Sequence, residues 1–422
     1  MFNETREPIV TSLLEVDWYK FTMSRFIWKR HRGVNVRFAF KNRHAAKICL
    51  PEFIARPHLL AEIAHVRTLR LTDEEIAFLR ESEHVPKGFF PEEYLQALKT
   101  MTLPEPKIRW TSKDYSIEVE GEWWVVTFWE TIIMNIVNEL YFRMLAHVAR
   151  VSSRELWSEG TRRLMKKIAV LKTRPGLKFA PFGLRRGFMV SWSRHIERIL
   201  CEELPGQVVG ISNVRSAMMN HMRPSGTCAH EMLMVTAALA GTVSDQELRK
   251  APVALTRAWF EEYGPEWSVA IPDTFGSESF LADMPEDLVR GIVAWKLDSG
   301  DPYERGERHA SFFRDQWKTD PLAKRLIFCD GLDIDSMIGL HDRFEGRAGM
   351  VEGPGTNFSN DVGFPPISIV VKAAAVLSPA GVWVPTVKLS DNLEKASGPK
   401  EEIERYVRVF QYGNTFSQEC RV

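Results

Sequence analysis

The sequence predicts an α/β protein, in which a parallel sheet built from βα repeats forms a closed or irregular α/β barrel between an N-terminal α+β region and β-rich C-terminal elements. Three observations predict it. Short apolar runs that end in polar or glycine residues recur between positions 208 and 331, helical stretches lie between them, and strand-like segments occupy both ends of the chain. With 422 residues, 45% of them hydrophobic and 11% aromatic, the chain has material for a large buried core.

Taken in order, Asp17-Trp18-Tyr19-Lys20 reads as the opening of a packed helix. Residues 35–42 set Val36, Phe38 and Phe40 against Arg37 and Lys41, the period of a half-buried strand, and residues 115–127 repeat that character. Between them Thr72, with Glu75 three residues on, makes a capping box that opens a helix through Ile76, Phe78 and Leu79. A long helix covers residues 132–145.

The apolar runs then follow. They are Val208-Val209-Gly210-Ile211 into Ser212-Asn213, Val269-Ala270-Ile271 into Asp273, Ile292-Val293-Ala294-Trp295 into the Asp298 loop, and Leu326-Ile327-Phe328 into Asp330-Gly331. Helices over 286–289 and 335–344 alternate with them, so the polar tips fall on loops after the strands' C-terminal ends, where barrel enzymes carry reactive residues. Residues 368–371, 382–384 and 386–389 read as strands with a hairpin at Pro379-Ala380-Gly381, and 411–422 as a frayed end. The resulting division is 1–130 (α+β), 131–365 (barrel) and 366–422 (β-rich, packing on the first part).

Fifty-five basic residues balance fifty-five acidic ones, which argues against nucleic acid or an anionic membrane as partner and requires any anion to be held by a local cluster. Five scattered cysteines lack zinc or disulfide-scaffold spacing and fit a reducing cytoplasm. The first eight residues lack an apolar signal core, and the most apolar helix is broken by Glu139, Arg143 and His147, so neither a signal peptide nor a membrane span is expected.

Several segments carry chemistry, each beside a plain structural alternative. His230 follows the Gly226-Thr227 turn and precedes Glu231, a carboxylate that could tune its ring; a lone histidine is more often structural. Asp298 and Asp301 bracket Ser299-Gly300 and could face one Mg²⁺ or sugar hydroxyl, or form an ordinary turn. Gly353-Pro354-Gly355 with Thr356, Asn357 and Ser359 could wrap a phosphate, or be a tight loop. Phe182-Gly183-Leu184-Arg185-Arg186 places a ring beside two guanidinium groups, able to stack an aromatic ligand and clamp a carboxylate, or a basic solvated turn.

Set in order, these segments resemble nicotinate phosphoribosyltransferase over residues 9–391. The matching pieces are Leu13-Leu14 through Asp17, Tyr19, Lys20 and Met23, then Phe182 to Arg186, Ser212-Asn213, Gly226-Thr227 with Ala229-His230-Glu231, Asp298 to Pro302, Gly355-Thr356-Asn357 and Lys388-Leu389-Ser390-Asp391. The resemblance implies a type II phosphoribosyltransferase fold working as a homodimer with shared sites, in NAD salvage. Its substrates would be nicotinate, phosphoribosyl diphosphate and ATP. His230 would be phosphorylated by ATP, with Glu231 helping to hold its tautomer. Phe182 would stack on the pyridine ring with Tyr19 of the partner chain, and Arg185 would meet the carboxylate. Ser212, Asn213, Thr227 and Lys296 would join the substrate contacts, and Gly355, Thr356 and Asn357 would cradle the 5′-phosphate. Asp298 and Asp301 would hold ribose hydroxyls and the Mg²⁺ riding on the diphosphate.

The chain departs from the family pattern at Lys296, where arginine is usual, at Pro181 before Phe-Gly, at Gly187 and at Glu352-Gly353-Pro354. Those departures motivate alternatives: a paralogue for another pyridine or azole carboxylate, or a nucleotide-binding homologue without turnover. A third alternative is a barrel enzyme using Lys296 as a Schiff base.

Overall fold

The computed structural model describes residues 7–111 and 114–413. Its strands are β1 (Asn35–Asn42), β2 (Lys107–Trp110), β3 (Tyr115–Glu122), β4 (Val269–Ala270), β5 (Ala294–Leu297), β6 (Arg325–Phe328), β7 (Gly349–Glu352), β8 (Ile369–Leu377) and β9 (Trp383–Pro385). They form two sheets. The first is antiparallel, in the order β2-β3-β1-β8-β9, and the second is parallel, in the order β4-β5-β6-β7.

Strand β1 is the centre of the first sheet because its inward residues, Val36, Phe38 and Phe40, are buried while β3 and β8 pair with its two edges. The C-terminal β8 thus lies against the N-terminal β1. Strand β3 ends at Glu122 because Trp123–Val126 turns into a helix, where strand character had been expected through residue 127.

In the parallel sheet each strand is short, and the loops after β4, β5, β6 and β7 leave from the same edge. Single parallel bridges from Glu352 to Phe179 and from Phe179 to Val208 extend the curl beyond β7. Among the described residues the sheet does not close, which makes the barrel an irregular one. The run 208–211 is not a strand but a series of such bridges. Gly210 accounts for part of this, since a Cβ there would lie 2.8 Å from the Arg223 carbonyl. Strand β7 was not foreseen.

The capping box at Thr72 and Glu75 is present and opens the helix Asp73–Glu81. The long helix runs Trp129–Ala149, buried along most of its length, and packs on β8. Helix Trp18–Arg30 is buried from Trp18 to Ile27, so Lys20 lies wholly inside the protein.

One C-terminal expectation fails. Residues 386–389 form no ladder: the Thr386 and Leu389 N–H groups donate to Ala374 and Thr274 carbonyls, 3.0 and 2.9 Å away. Residues Lys400–Val409 are a helix, opened after Pro399 with Glu401 and Glu402 in its first turn. Of the stretch expected to fray, Tyr412 is packed, and 414–422 lie outside the described residues.

Candidate active site

A cavity of about 330 Å³ opens where the loops of the parallel sheet face β8 and the start of the Trp129–Ala149 helix. Its lining includes Arg43, Arg185, Arg186, Lys296, Lys372, Lys388 and Lys395 against Glu130, Glu231, Asp298 and Asp330, seven cations to four carboxylates. A chain of zero net charge therefore concentrates positive potential in one cleft, as a polyanionic ligand requires.

His230 begins the helix His230–Gly241, and its ring is held from three sides. Nδ1 lies 2.9 Å from Thr274 Oγ1, while Nε2 lies 3.0 Å from both Asp298 Oδ2 and Lys388 Nζ, with Asp273 Oδ1 at 3.8 Å. Burial, aided by Lys388, lowers its pKa below the usual 6.5, with Asp273 and Asp298 opposing. Nε2 thus stands between the Asp298 carboxylate, which can accept its proton, and the Lys388 ammonium, which can donate to its lone pair, while the Thr274 hydroxyl serves Nδ1 in either tautomer.

Burial would raise Asp298, but Lys296, 3.0 Å away, and His230 outweigh it and hold the carboxyl well below its usual range. The same pair holds Lys296 above the ordinary lysine value against burial. Lys296 is thus a counter-ion of Asp298, without the burial-lowered pKa on which the Schiff-base alternative rested.

At the other end of the cavity, Phe182 and Tyr19 approach Gly226 from two directions. A Cβ at Gly226 would lie 3.2 Å from the Phe182 ring and 3.6 Å from that of Tyr19, and its φ of +108° is itself suited to glycine. Arg185 reaches the same end, its Cζ 5.9 Å from the Tyr19 ring centroid, with Nη1 bound to Glu130 at 2.8 Å. Beneath them lies a buried ionic chain. Lys20 Nζ meets Glu130 at 2.5 Å and Glu231 at 2.6 Å, and Glu231 also accepts from Trp123 at 2.7 Å. On the β8 side Lys372 is pushed down to about 7 by burial, with Lys388 and Arg43 adding to the effect.

Comparison with known proteins decides what this cleft belongs to. The model of the nicotinate phosphoribosyltransferase (NAPRTase) family matches residues 177–414, and that of the NAPRTase N-terminal domain matches residues 14–138. The chain belongs to the nicotinate phosphoribosyltransferase family.

Solved structures agree. The nicotinate phosphoribosyltransferase of Porphyromonas gingivalis superposes with a TM-score of 0.86 at 26% identity, over 96% of this chain and 100% of that one. That of Vibrio cholerae gives 0.83 at 27%, over 96% and 94%. A putative one from Saccharomyces cerevisiae, at 24% identity and a TM-score of 0.83 over 97% of this chain and 100% of that one, shares the fold. The chain is an enzyme of NAD salvage, and the family generally uses ATP.

Of the residues singled out from the sequence, His230, Asp298, Lys296, Tyr19, Phe182, Arg185, Thr227, Glu231, Gly355 and Thr356 all line the one cavity. Thr227 Oγ1 and Tyr19 Oη are buried there without a hydrogen-bond partner. Tyr19 and Phe182 of the same chain both approach Gly226, and Asp17, two residues ahead of Tyr19, accepts from the Ser212 hydroxyl at 2.7 Å.

Other assignments change. The Glu231 carboxylate serves Lys20, Trp123 and Thr127, and the His230 ring is held by Thr274, Asp298 and Lys388 instead. Ser212 and Asn213 are fully buried off the cavity wall, one bound to Asp17 and the other capping the helix Val214–Met219. Asp301 accepts from the Glu304 N–H at 2.9 Å as the cap of helix Pro302–Ser311, and does not line the cavity. Asn357 ties its loop to the Gly331 and Leu332 carbonyls through Nδ2.

The residues do not fit a resident metal. Among the described residues no group of three histidines, cysteines or carboxylates converges on one point, and Asp298 is already engaged by Lys296 and His230. No described helix is long and apolar enough to cross a membrane. Sequence reasoning did not assign to the site Thr274, Asp273, Glu130, Arg43, Lys372 or Lys388, although Lys388 lies within a matched motif.

Proposed function

We propose that the cavity joins nicotinate to phosphoribosyl diphosphate with Phe182 and Tyr19 flanking the pyridine ring and Arg185 meeting the carboxylate. Glu130 occupies Nη1 of Arg185, so the clamp offers its Nη2 side. The ring nitrogen attacks the anomeric carbon, the bond from that carbon to the diphosphate oxygen breaks, and the electron pair leaves with diphosphate. Arg43, Arg186, Lys372 and Lys388 receive that charge, and the backbone of Gly355 and Thr356 receives the 5′-phosphate. Mg²⁺ enters as the diphosphate's counter-ion, part of the substrate.

His230 couples the reaction to ATP. Its Nε2 lone pair attacks the terminal phosphorus, the bond to the ADP oxygen breaks, and a phosphohistidine results, with the Nδ1 proton held on Thr274. The Phe182 and Tyr19 rings of one chain both reach the acceptor slot. Cys201, Cys228 and Cys329 are thiols, in keeping with a cytoplasmic enzyme.

The observation that carries this reading is a neutral His230 held by Thr274, Asp298 and Lys388 inside a cation-lined cleft with an aromatic slot. The test is radiolabel transfer from γ-labelled ATP to the protein: acid-labile label is expected on the wild type and absent from His230→Gln. Equal labelling of both would refute the assignment.

A further inference from the structure

Tyr412 packs behind the elements that hold His230. Tyr412 Oη donates to the Ser390 carbonyl at 2.9 Å, and the Tyr412 ring lies on Gly276, where a Cβ would stand 2.8 Å from ring carbon Cδ2. Gly276 has φ +104°, and Ser390, not a glycine, is held at φ +67°. A non-glycine residue in that region is strained and stays there only when its surroundings fix it.

Those two positions flank the residues that hold His230. The Leu389 and Ser390 N–H groups donate to the Thr274 carbonyl at 2.9 and 3.3 Å, and Thr274 Oγ1 bonds His230 Nδ1. Lys388, two residues before Ser390, bonds Nε2. Asp391 accepts from the Ser277 N–H and hydroxyl at 2.7 and 2.6 Å, and its own N–H donates to Ser299, which donates to Asp273. The 273–277 loop and the 388–391 turn are therefore laced together, and Tyr412 touches both from outside.

We propose that Tyr412 is a positioning residue for the His230 chemistry: its hydroxyl fixes the strained Ser390 turn, and its ring closes the Gly276 loop, so that Thr274 and Lys388 meet the imidazole in register. Tyr412 does not line the cavity and touches no acceptor-slot residue, so it acts on the catalytic step and not on nicotinate binding. The inference rests on the proposed role of His230.

Tyr412→Phe removes one oxygen and keeps the ring on Gly276; Tyr412→Ala removes both contacts. Nicotinate-dependent diphosphate release is measured with ATP at saturating phosphoribosyl diphosphate, together with hydrogen exchange of the Leu389 and Ser390 amides. The loss of one hydrogen bond corresponds to a fall of about 2- to 10-fold in kcat for Tyr412→Phe, with an unchanged KM for nicotinate and faster exchange at both amides. Tyr412→Ala exceeds it in the same direction. A Phe variant with wild-type kcat, or one whose loss lies in KM, overturns the positioning role. A wild type that releases no diphosphate with nicotinate would instead overturn the reading of the site, and the amide exchange would still report whether Tyr412 holds the turn.

Discussion

Glu352, where β7 ends and the Gly353-Pro354-Gly355 loop begins, has no exposed surface, and neither carboxylate oxygen has a hydrogen-bond partner. Its neighbours in register are Phe328 and Phe179, both fully buried. Burial pushes its pKa from 4.5 up to about 9, so the group is a neutral acid at pH 7. The sign follows from linkage. Below pH 4.5 the acid is protonated in the folded and the unfolded chain alike and costs nothing. Above it the unfolded chain ionises while the fold must keep the proton, so stability falls until about pH 9. At 1.36 kcal/mol per pH unit, the 2.5 units between 4.5 and neutrality cost about 3 kcal/mol. Glu352→Gln keeps the shape without the titration, and Glu352→Met also removes the unpaired polar atoms. Urea midpoints of wild type and both variants, compared at pH 5 and pH 7, isolate the residue because all other titrations cancel. The variants are expected to gain about 2–3 kcal/mol on the wild type between those two pH values. Parallel pH dependences would refute the reasoning and mean that Glu352 finds a partner or water.

Other expectations follow from the site. Arg185→Ala removes a charge-assisted bond and should raise the KM for nicotinate about 10- to 100-fold while leaving that for phosphoribosyl diphosphate within a few-fold; equal effects on both would sink the carboxylate assignment. Thr274→Val keeps the volume but deletes the acceptor for the His230 Nδ1–H, and should lower ATP-stimulated turnover without altering slow, ATP-independent synthesis, which initial rates with and without ATP will separate. His230→Ala should abolish ATP stimulation altogether. Lys372, with a pKa near 7, loses its charge as pH rises, so the KM for phosphoribosyl diphosphate should increase from pH 6 to pH 8, and Lys372→Arg should flatten that rise.

Where a segment was decided by its own residues, the sequence was informative. The alternation of 35–42 defines β1, and the Thr72–Glu75 box is the cap it promised, since both depend on neighbours within a few residues. The helix Lys400–Val409 had comparable signals, Pro399 followed by Glu401 and Glu402, which the sequence analysis did not take up. Strand β7 was hidden by a terminal Glu352, a residue whose charge argues for solvent until its burial is seen.

The site was legible as a set of motifs but not in its contacts. Adjacent helical residues point about 100° apart, so Glu231 could not face the ring beside it, and it turned to Lys20 instead. Asp301 precedes a proline and stands three residues before Glu304, the pattern of a helix cap, which competed with the metal reading and won. Thr274 reaches His230 across 44 positions and Lys388 across 158, distances over which no local pattern carries information.

Diphosphate release from phosphoribosyl diphosphate, with nicotinate, nicotinamide or quinolinate as acceptor and with or without ATP, tests the central claim most directly. Release with nicotinate that ATP increases, and that His230→Gln renders insensitive to ATP, is the predicted result. Preference for another acceptor, or full ATP stimulation without His230, would contradict the account.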